Sequence, residues 1–598
     1  MSATEYRKLV FIVWLVVVAS MVAIWGGNAW HGLSWDTDDF MRLVQVRDWL
    51  GGQAWSDLTQ YRLNPPDGTP MHWSRLPDVP LATIALALSP FLATNDALAV
   101  AAMVAPPLYF LLFVIVYALP ARMMLGMARS PIGLLVAISG SATVAQYAPG
   151  RVDHHGLQLI MVLAAIALLL FGLARARWRR LIACAGIPIG LSLWIGVEML
   201  PIFAAWFAAL GLVWCAQGGN LARQGALAAG LAAAIGVALI LTSVPPAHWL
   251  VPACDAFSIM PVGAVALIAG GFAGMALLGR RANGMIARLA IAALCGGLAA
   301  AIFAVAFPGC ITGGYGEVDP EVKLRWLDNV SEAMSLSDQM RVLPFSAFGK
   351  LWTPLLALAY CLWRVRRAQA RGRALWGVLA LLITAATALI FWQIRAVTAA
   401  HVIALLPLAA LIAELWQRLK GRRSPRWLQF LVLLPVLFLC SAVFWPGLEY
   451  GYRFIAASVS PTTAVPVVLQ EQCTDRAAIA PLAEAPPTLI LSYIDLGPML
   501  LFSTPHAVLG APYHRNNGGL KETITLFRSA DDAEIRDRLH AQGIGWVATC
   551  PGPEDRSAYH TEDGGSLAER LVAGKVPDYL SEVADPAHPG LKLYRVLP

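Results

Sequence analysis

The first three quarters of the chain alternate long apolar runs with short basic loops, and this alternation constrains the fold more than any other feature. About 20 consecutive apolar residues are enough to cross the hydrocarbon core of a bilayer. Only 14% of all residues are charged, whereas soluble domains carry roughly a quarter. The pattern predicts thirteen transmembrane helices, near residues 9–29, 97–119, 131–148, 157–173, 181–196, 201–216, 225–243, 259–278, 289–307, 348–363, 374–391, 398–416 and 427–445.

The positions of the basic residues predict the orientation of these helices. Arginines and lysines cluster in the loops after alternate spans, and such loops stay in the cytoplasm. Arg7 and Lys8 lie on the same side, so an odd number of spans places the C-terminus outside. We therefore expect a protein of a bacterial-type inner or plasma membrane, with a transmembrane domain over 1–445 and an extracytoplasmic domain over 446–598. Because the cytoplasmic loops account for the net charge of +7, nucleic acid is not an expected partner.

Residues 446–598 have the composition of a soluble domain and the pattern of an α/β fold. TLILSYIDLG is typical of a buried strand that enters a turn, and DDAEIRDRLHAQGIGWVATC of a helix followed by a strand. LKLYRVL is typical of a closing strand. The fold class predicted for the whole chain is an α-helical polytopic membrane protein with a small C-terminal α/β domain.

Four cysteines fall outside the cytoplasm by this topology: Cys254, Cys310, Cys473 and Cys550. An oxidising compartment favours disulfides, and four cysteines allow three pairings. Cys473 and Cys550 share the external domain, whereas Cys254 and Cys310 flank adjacent outside loops. The simplest pairing therefore joins Cys473 to Cys550 and Cys254 to Cys310.

Carboxylates at the outer rim of the helix bundle are the strongest functional signal. Asp36 and Asp153 each lie within a few residues of an apolar span, where an uncompensated carboxylate is costly and therefore usually functional. Asp153 and His155 offer two ligands at i, i+2 spacing, and carboxylates combined with an imidazole suit a divalent cation. A transporter would instead bury its charges near the middle of the membrane. Three outside loops are involved: 31–80, 149–156 and 308–346.

The motifs of these loops, in this order, resemble those of the catalytic subunit of oligosaccharyltransferase, a GT-C-fold glycosyltransferase that takes a glycan from a polyprenyl carrier. WDTDDF offers Asp36 after the first span, and Asp153-His154-His155 matches a D-x-D/E/H motif. Asn329-Val330-Ser331-Glu332 matches the S-V-S-E motif of the fifth external loop at three of four positions. The resemblance covers the whole chain and implies a GT-C-like fold.

The resemblance also implies a metal site and a phosphate site. The ion, Mg²⁺ or Mn²⁺, would be surrounded by Asp36, Asp153, His155 and Glu332. The three acids of this set would be catalytic, whereas Asp38 and Asp39 are expected to matter less. Arg395, near the outer end of a late span, would bind the phosphate of the carrier, because a guanidinium pairs bidentately with phosphate.

The acceptor is expected to differ from that of the family. The family's external W-W-D-Y-G motif reads an asparagine sequon, and SYIDLG keeps only Asp495 and Gly497 of it. A hydroxyl on a lipid, a polysaccharide or a protein is a simpler acceptor, because it needs only a general base and positioning. Asp495 and the loop with His514, Arg515 and Asn516 would contact the glycan or the acceptor. Alternatively, this polar loop is satisfied by its own turn bonds.

The predicted function is metal-dependent, inverting transfer of a glycan from a polyprenyl-(pyro)phosphate carrier in the lipid bilayer to an extracytoplasmic acceptor. Two alternatives stay open. One is a polyprenyl-monophosphate-sugar transferase that needs no metal, and the other is a transporter or flippase of lipid-linked glycan. A transporter predicts internal repeats and mid-membrane charges, and the sequence displays neither.

Overall fold

The computed structural model describes most of the chain. The described residues are 1–32, 35–311, 313–316, 318–330, 332–421, 444–459, 476–550, 558–561, 563–583 and 590–598, with Pro425, Trp427, Leu431, Leu434, Phe438 and Cys473. Ten of the described helices are long and apolar enough to cross a membrane, so the chain is an integral membrane protein. They are Ala3–Trp30, Thr94–Leu125, His155–Ala174, Leu200–Gln217, Leu221–Ser243, Ile259–Arg281, Met285–Ala306, Pro344–Arg367, Ala370–Ile390 and Ile394–Lys420.

Each of these ten helices coincides with a predicted span, whereas the predicted spans 131–148 and 181–196 are broken into shorter helices. In the first of these, Gly140 leaves the helical conformation, and a Cβ atom on it would lie 2.8 Å from the side chain of Leu405. The last predicted span, 427–445, lies largely outside the described residues. The shorter helices are Ser130–Ser139, Ser141–Val144, Leu181–Cys184 and Gly186–Ile195.

Residues 31–80, which keep the name first outside loop from their predicted side of the membrane, fold around a buried acid, Asp78. Arg42 Nη1 lies 3.0 Å from one carboxylate oxygen, and Gln45 Nε2 donates to the other at 2.7 Å. Arg75 Nη1 donates to that second oxygen at 3.3 Å. A buried carboxylate is costly unless its oxygens are paired, and here three donors surround it. The loop contains helices Thr37–Leu50 and Asp78–Leu88 and an antiparallel pair of strands, β1 (Thr59–Gln60) and β2 (Thr69–Pro70).

A five-stranded sheet forms the core of the C-terminal region, which confirms the predicted α/β pattern. The strands are β3 (Leu489–Ser492), β4 (Ala507–Val508), β5 (Ile544–Thr549), β6 (Leu580–Val583) and β7 (Lys592–Val596). Their order is β4-β3-β5-β7-β6, with β3 parallel to both neighbours and β7 antiparallel to both. The helices around the sheet are Ala480–Ala483, Gly497–Ser503, Asn517–Arg528, Asp532–Ala541 and Leu567–Val572.

The first outside loop packs directly on this C-terminal region. Phe502 at the end of helix Gly497–Ser503 lies 5.9 Å from the ring of Trp35 and 6.0 Å from that of Phe40. Arg47 donates to the carbonyl of Phe502 at 2.9 Å, and Arg62 donates to that of Thr504 at 3.0 Å. Cations are favourable at the carbonyl end of a helix. The loop that carries WDTDDF is therefore fixed between the membrane helices and the C-terminal sheet.

Two disulfide bonds tie the outside segments together, in the pairing that the sequence favours. Cys473 is joined to Cys550, just after β5, and Cys254 is joined to Cys310 in the third outside loop. That third loop contains the short helices Pro320–Arg325 and Leu336–Val342. A further helix, Phe444–Val459, crosses the predicted domain boundary at residue 446, and its Trp445 ring lies 4.9 Å from that of Phe348.

Candidate active site

Asp36 is the N-cap residue of helix Thr37–Leu50. One of its oxygens accepts from the backbone N–H groups of Asp38 and Asp39 at 3.1 Å each, and the side chain of Asp39 accepts from the N–H of Asp36. This reciprocal arrangement is a capping box. The other oxygen of Asp36 is paired with Arg151. Both oxygens of Asp36 are therefore engaged within the protein.

Asp39 is fully buried and holds the loop that carries the second motif. One of its oxygens accepts from the backbone N–H groups of Val152 and Asp153, at 2.8 and 3.0 Å. The other accepts from Arg151 Nη1 at 3.0 Å. Asp39 therefore fixes the position of Asp153, although it was expected to matter less than Asp36.

The second motif forms a compact cluster of ligand atoms. One atom from each of Asp153, His154 and His155 lies within 4.8 Å of the others, and all three residues are buried. Asp153 accepts from the backbone N–H of His154 at 2.6 Å and pairs through its other oxygen with Nδ1 of His155. Burial raises the pKa of Asp153, but the neighbouring imidazoles outweigh burial and hold it well below its usual range. The carboxylate is therefore ionised.

His154 and His155 have different surroundings. Nε2 of His154 lies 3.2 Å from Glu198, whose second oxygen accepts from Gln158 at 2.8 Å. Burial lowers the pKa of His154, but the charges of Asp153 and Glu198 raise it to about 10. His154 is thus held in an ion-paired network. In contrast, Nε2 of His155 is buried and has no hydrogen-bond partner among the described residues, which leaves it open to a ligand.

Glu198 lies between helices Gly186–Ile195 and Leu200–Gln217, where an acid would ordinarily meet water. Its side chain is only 16% exposed and is bonded to His154. The charge of His154 outweighs burial and holds the pKa of Glu198 well below its usual range. Glu198 therefore belongs to the site, although its sequence context carries no motif.

A polar cavity of about 410 Å³ brings together the acids of the first and third outside loops. Asp36, Asp38 and Glu332 line it, together with Asp495 of the C-terminal region. Burial, with the negative charges of Asp153 and Glu332, raises the pKa of Asp38 to about 7. Like charges that face one another in this way are relieved by a cation. Ser331, which precedes Glu332 in the third motif, lies outside the described residues.

The donor types in this region fit a divalent cation. Asp153 and His155 belong to the compact cluster, whereas Asp38 and Glu332 border the polar cavity. Asp38, Asp153 and Glu332 could supply oxygen ligands, and His155 could supply its open Nε2 atom. These are the ligand types expected for Mg²⁺ or Mn²⁺. Asp36, which the sequence assigns to the ion, borders the same cavity as Asp38, but it is also paired with its own helix and with Arg151.

A second, mainly apolar cavity of about 240 Å³ is lined by the ends of membrane helices and by the segments that join them. Its walls include Leu200, Met260 and Phe303, and Arg395 lines both this cavity and the polar one. His155, Glu198 and Asp255 also line it. Arg395 Nη2 donates to the Tyr315 hydroxyl at 3.0 Å. Its Nε atom is buried with no hydrogen-bond partner among the described residues. The guanidinium can therefore bind an anion that enters from either side.

The polar loop of the C-terminal region reaches both cavities through one residue, His514. His514 Nε2 and Arg515 Nε each lie 2.7 Å from one oxygen of Asp255, and Arg515 Nη2 donates to the other at 2.9 Å. The ring of His514 lies 5.1 Å from that of Tyr315. The loop is therefore anchored to the segment next to the Cys254–Cys310 disulfide.

Asn516 of the same loop has a supporting position. It is 1% exposed, its amide nitrogen donates to the carbonyl of Leu509 at 3.2 Å, and its oxygen accepts from the Thr69 hydroxyl at 3.3 Å. It was expected to contact the glycan, but these bonds hold the loop on the first outside loop. Asp495 is exposed and borders the polar cavity, as a contact to a ligand requires.

No protein-family model matches the chain, and no curated protein matches its sequence. Solved structures do match it. The archaeal oligosaccharyltransferase AglB from Archaeoglobus fulgidus, in complex with an inhibitory peptide and a dolichol-phosphate, superposes with a TM-score of 0.64 at 12% identity, over 92% of this chain and 70% of that one. The same organism's oligosaccharyltransferase, tethered to an acceptor peptide with the NVT sequon, superposes with a TM-score of 0.65 at 14% identity, over 99% of this chain and 75% of that one. Its complex with zinc and sulfate superposes with a TM-score of 0.63 at 14% identity, over 98% of this chain and 74% of that one.

At this level of identity the likeness shows the fold and not the reaction. It extends from the first membrane helix through the C-terminal sheet, since it covers nearly the whole chain. The chain therefore has the GT-C fold of the archaeal oligosaccharyltransferase, the fold that its outside motifs imply.

Proposed function

We propose that this protein is a glycosyltransferase that moves a glycan, with inversion, from a polyprenyl phosphate or pyrophosphate carrier to an acceptor outside the cytoplasm. One observation carries the proposal. A mainly apolar cavity at the ends of membrane helices and a polar, acid-lined cavity border the same guanidinium, that of Arg395. A lipid-linked sugar phosphate has three matching parts in the same order: an apolar chain for the apolar cavity, an anion for Arg395 and a polar glycan for the polar cavity.

The donor phosphate is assigned to Arg395 and Tyr315. The buried, unpartnered Nε atom of Arg395 gives it donors that the described protein atoms leave free. Guanidinium and phosphate pair through two parallel hydrogen bonds. The apolar cavity lined by Leu200, Met260 and Phe303 would then hold the first part of the prenyl chain. The archaeal oligosaccharyltransferase complex that contains a dolichol-phosphate supports a carrier of this class.

Asp38, Asp153, His155 and Glu332 are the proposed ligands of a divalent cation, Mg²⁺ or Mn²⁺. When bound, the cation supplies positive charge that neutralises the leaving phosphate. The complex of the archaeal enzyme with zinc and sulfate supports a cation site in this fold. Asp39 and Arg151 orient the first two motifs relative to each other, since Asp39 bonds Arg151 and the backbone of Asp153.

Asp38 is also the proposed general base. It borders the polar cavity together with Glu332 and with Asp495, the residue proposed to contact the acceptor. A hydroxyl acceptor needs a base within hydrogen-bond reach and correct positioning. Because the tryptophan pair of the sequon-reading motif is missing, we assign the acceptor to a hydroxyl rather than to an asparagine amide.

A deletion strain tests this function without knowledge of the donor. Loss of the transferase should cause a polyprenyl-linked glycan to accumulate, and mass spectrometry of the lipid extract would identify it. The wild-type gene should clear the accumulated lipid, whereas Asp153→Ala should not. An unchanged lipid-linked glycan pool in the deletion strain would contradict the proposal. An alkaline phosphatase fusion at the C-terminus checks the proposed side of the membrane, since it is active only outside the cytoplasm.

A further inference from the structure

A third cavity, of about 350 Å³, lies beside the two that the proposed function uses. It is enclosed by the first outside loop, the end of helix Gly186–Ile195 and the segment 243–258. His72 borders all three cavities. Ligand pockets generally measure roughly 300–1,000 Å³, so this cavity is large enough for a small polar ligand.

The lining of this cavity is largely apolar, with Leu58, Met71 and Phe257 among its residues, and it also presents flat rings and a few polar groups. Trp194 contributes an indole whose N–H donates to the Ser243 hydroxyl at 3.1 Å, which fixes the plane of the ring. Ser56 and Asp57 of the first outside loop and the imidazole of His248 contribute polar atoms. A sugar ring has apolar C–H faces and a rim of hydroxyls. Amphipathic rings beside hydroxyl and carboxylate groups match both features.

His72 has an unsatisfied nitrogen at the junction of the cavities. Its Nδ1 atom is buried and has no hydrogen-bond partner among the described residues. Its ring is held 5.4 Å from that of Trp73 and 5.0 Å from that of His514. Buried polar atoms almost always have a partner. A ligand hydroxyl at the junction would provide one.

The position of this junction relative to the proposed phosphate site indicates which ligand the third cavity would hold. His72 borders the two cavities that meet at Arg395, and it also borders the third cavity. A donor whose phosphate is bound by Arg395 would therefore have its sugar close to His72. We propose that the third cavity is the sugar subsite of the donor, with His72 bonded to a hydroxyl of the sugar and Trp194 against its apolar face. The inference rests on the proposed function, because it assigns one part of the same donor.

Two variants test the subsite. His72→Phe keeps a ring against Trp73 and His514 but removes the nitrogens. Ser56→Trp fills the cavity with an indole and leaves Arg395 untouched. His540→Gln, an exposed histidine on helix Asp532–Ala541, is the matched control. Purified protein in detergent is titrated with glucose, galactose, mannose and N-acetylglucosamine, and saturation-transfer NMR gives the apparent Kd of each.

The expected result is saturable binding of at least one of these sugars to the wild type and to His540→Gln. Each cavity variant should weaken that binding by about tenfold, the effect of one lost hydrogen bond or of steric exclusion. Equal affinity in both cavity variants, or no saturable binding to the wild type, would overturn the subsite. The readout does not need turnover. If the sugars bind as expected and no lipid-linked donor is consumed, the proposed transfer fails and the sugar site stands.

Discussion

The Nη2 atom of Arg395 donates to the hydroxyl of Tyr315 at 3.0 Å, so that an arginine at the end of a membrane helix is fixed by the third outside loop. The backbone N–H of Arg395 also donates to the carbonyl of Glu332, at 3.3 Å. The proposed phosphate site and the proposed metal site are thereby joined through the backbone as well as through the cavity.

Arg395→Lys should reduce turnover of the lipid-linked donor by about a hundredfold, because an ammonium lacks the planar fork that pairs with phosphate. Tyr315→Phe should cost less than tenfold, since the guanidinium keeps its charge and loses one hydrogen bond. Arg341→Ala is the control, an exposed arginine in the third outside loop. Steady-state kinetics of the purified variants would check this. Full activity of Arg395→Lys would remove the arginine from the phosphate site.

Asp38 and Asp36 should differ in their effects. Asp38→Asn should lower turnover at least about a hundredfold, because it removes a proposed ligand and base. Asp36→Ser keeps a helix-capping oxygen and loses the pair with Arg151, so its activity should fall by less than about tenfold. The assay is donor turnover by folded, membrane-inserted protein. If Asp36→Ser lowers turnover more than Asp38→Asn does, the catalytic acid is Asp36, as the sequence suggested.

Metal removal should abolish turnover, and the addition of Mg²⁺ or Mn²⁺ should restore it. The reason is that Asp38 and Glu332 border one cavity, and the negative charges of Asp153 and Glu332 both act on Asp38, so a bound cation would balance these acids and the leaving phosphate. The test is donor turnover after treatment with chelator, followed by titration of each metal. Undiminished turnover in chelator would favour the metal-independent transfer of a sugar from a polyprenyl monophosphate.

Asp255→Asn should destabilise the protein at neutral pH by about 1–3 kcal/mol, through the lost bonds to His514 and Arg515. Burial raises the pKa of Asp255, but these two partners outweigh it and hold the pKa well below its usual range. A carboxylate with a depressed pKa contributes stability above its unfolded value, near 3.9, and loses it as the pH falls further.

The stability difference between the wild type and Asp255→Asn should therefore be complete at pH 7 and shrink below about pH 4. Thermal unfolding in detergent across this range measures it, with Asp578→Asn as a control for an exposed carboxylate, 85% exposed. A difference that does not change down to pH 3 would show that Asp255 acts through packing and not through its charge.

The membrane architecture could be predicted from the sequence because a span of about 20 apolar residues is a local property. The basic loops then predicted which side of the membrane each loop faces, and this prediction grouped the cysteines into the two pairs found in the structure. The breaks at Gly140 and near Ala185 could not be predicted, because they depend on contacts with distant helices such as that of Leu405.

The order of the motifs could be read from the sequence, whereas the choice between neighbouring acids, which we propose falls on Asp38, depends on contacts made in the fold. Asp36 and Asp38 are two residues apart, and the difference between them comes from Arg151, which lies 115 residues beyond Asp36. One local signal was available, since Asp36 followed by Asp39 at the third helical position has the form of a capping box. Glu198 and His72 carry no such signal, because their partners come from other loops.

Release of carrier phosphate by the purified protein in detergent separates transfer from transport, since no transport is possible without a bilayer. The lipid extract of the deletion strain serves as donor, water or an added membrane extract serves as the acceptor of the glycan, and mass spectrometry follows the polyprenyl-linked glycan and the polyprenyl phosphate or pyrophosphate. We expect wild-type protein to convert the first into the second in the presence of Mg²⁺ or Mn²⁺, with the glycan passing to water or to a hydroxyl of the extract, and Asp153→Ala to leave the donor unchanged. If no carrier phosphate is released, while the same protein moves the intact lipid across the bilayer of reconstituted vesicles, the protein is a flippase and not a transferase.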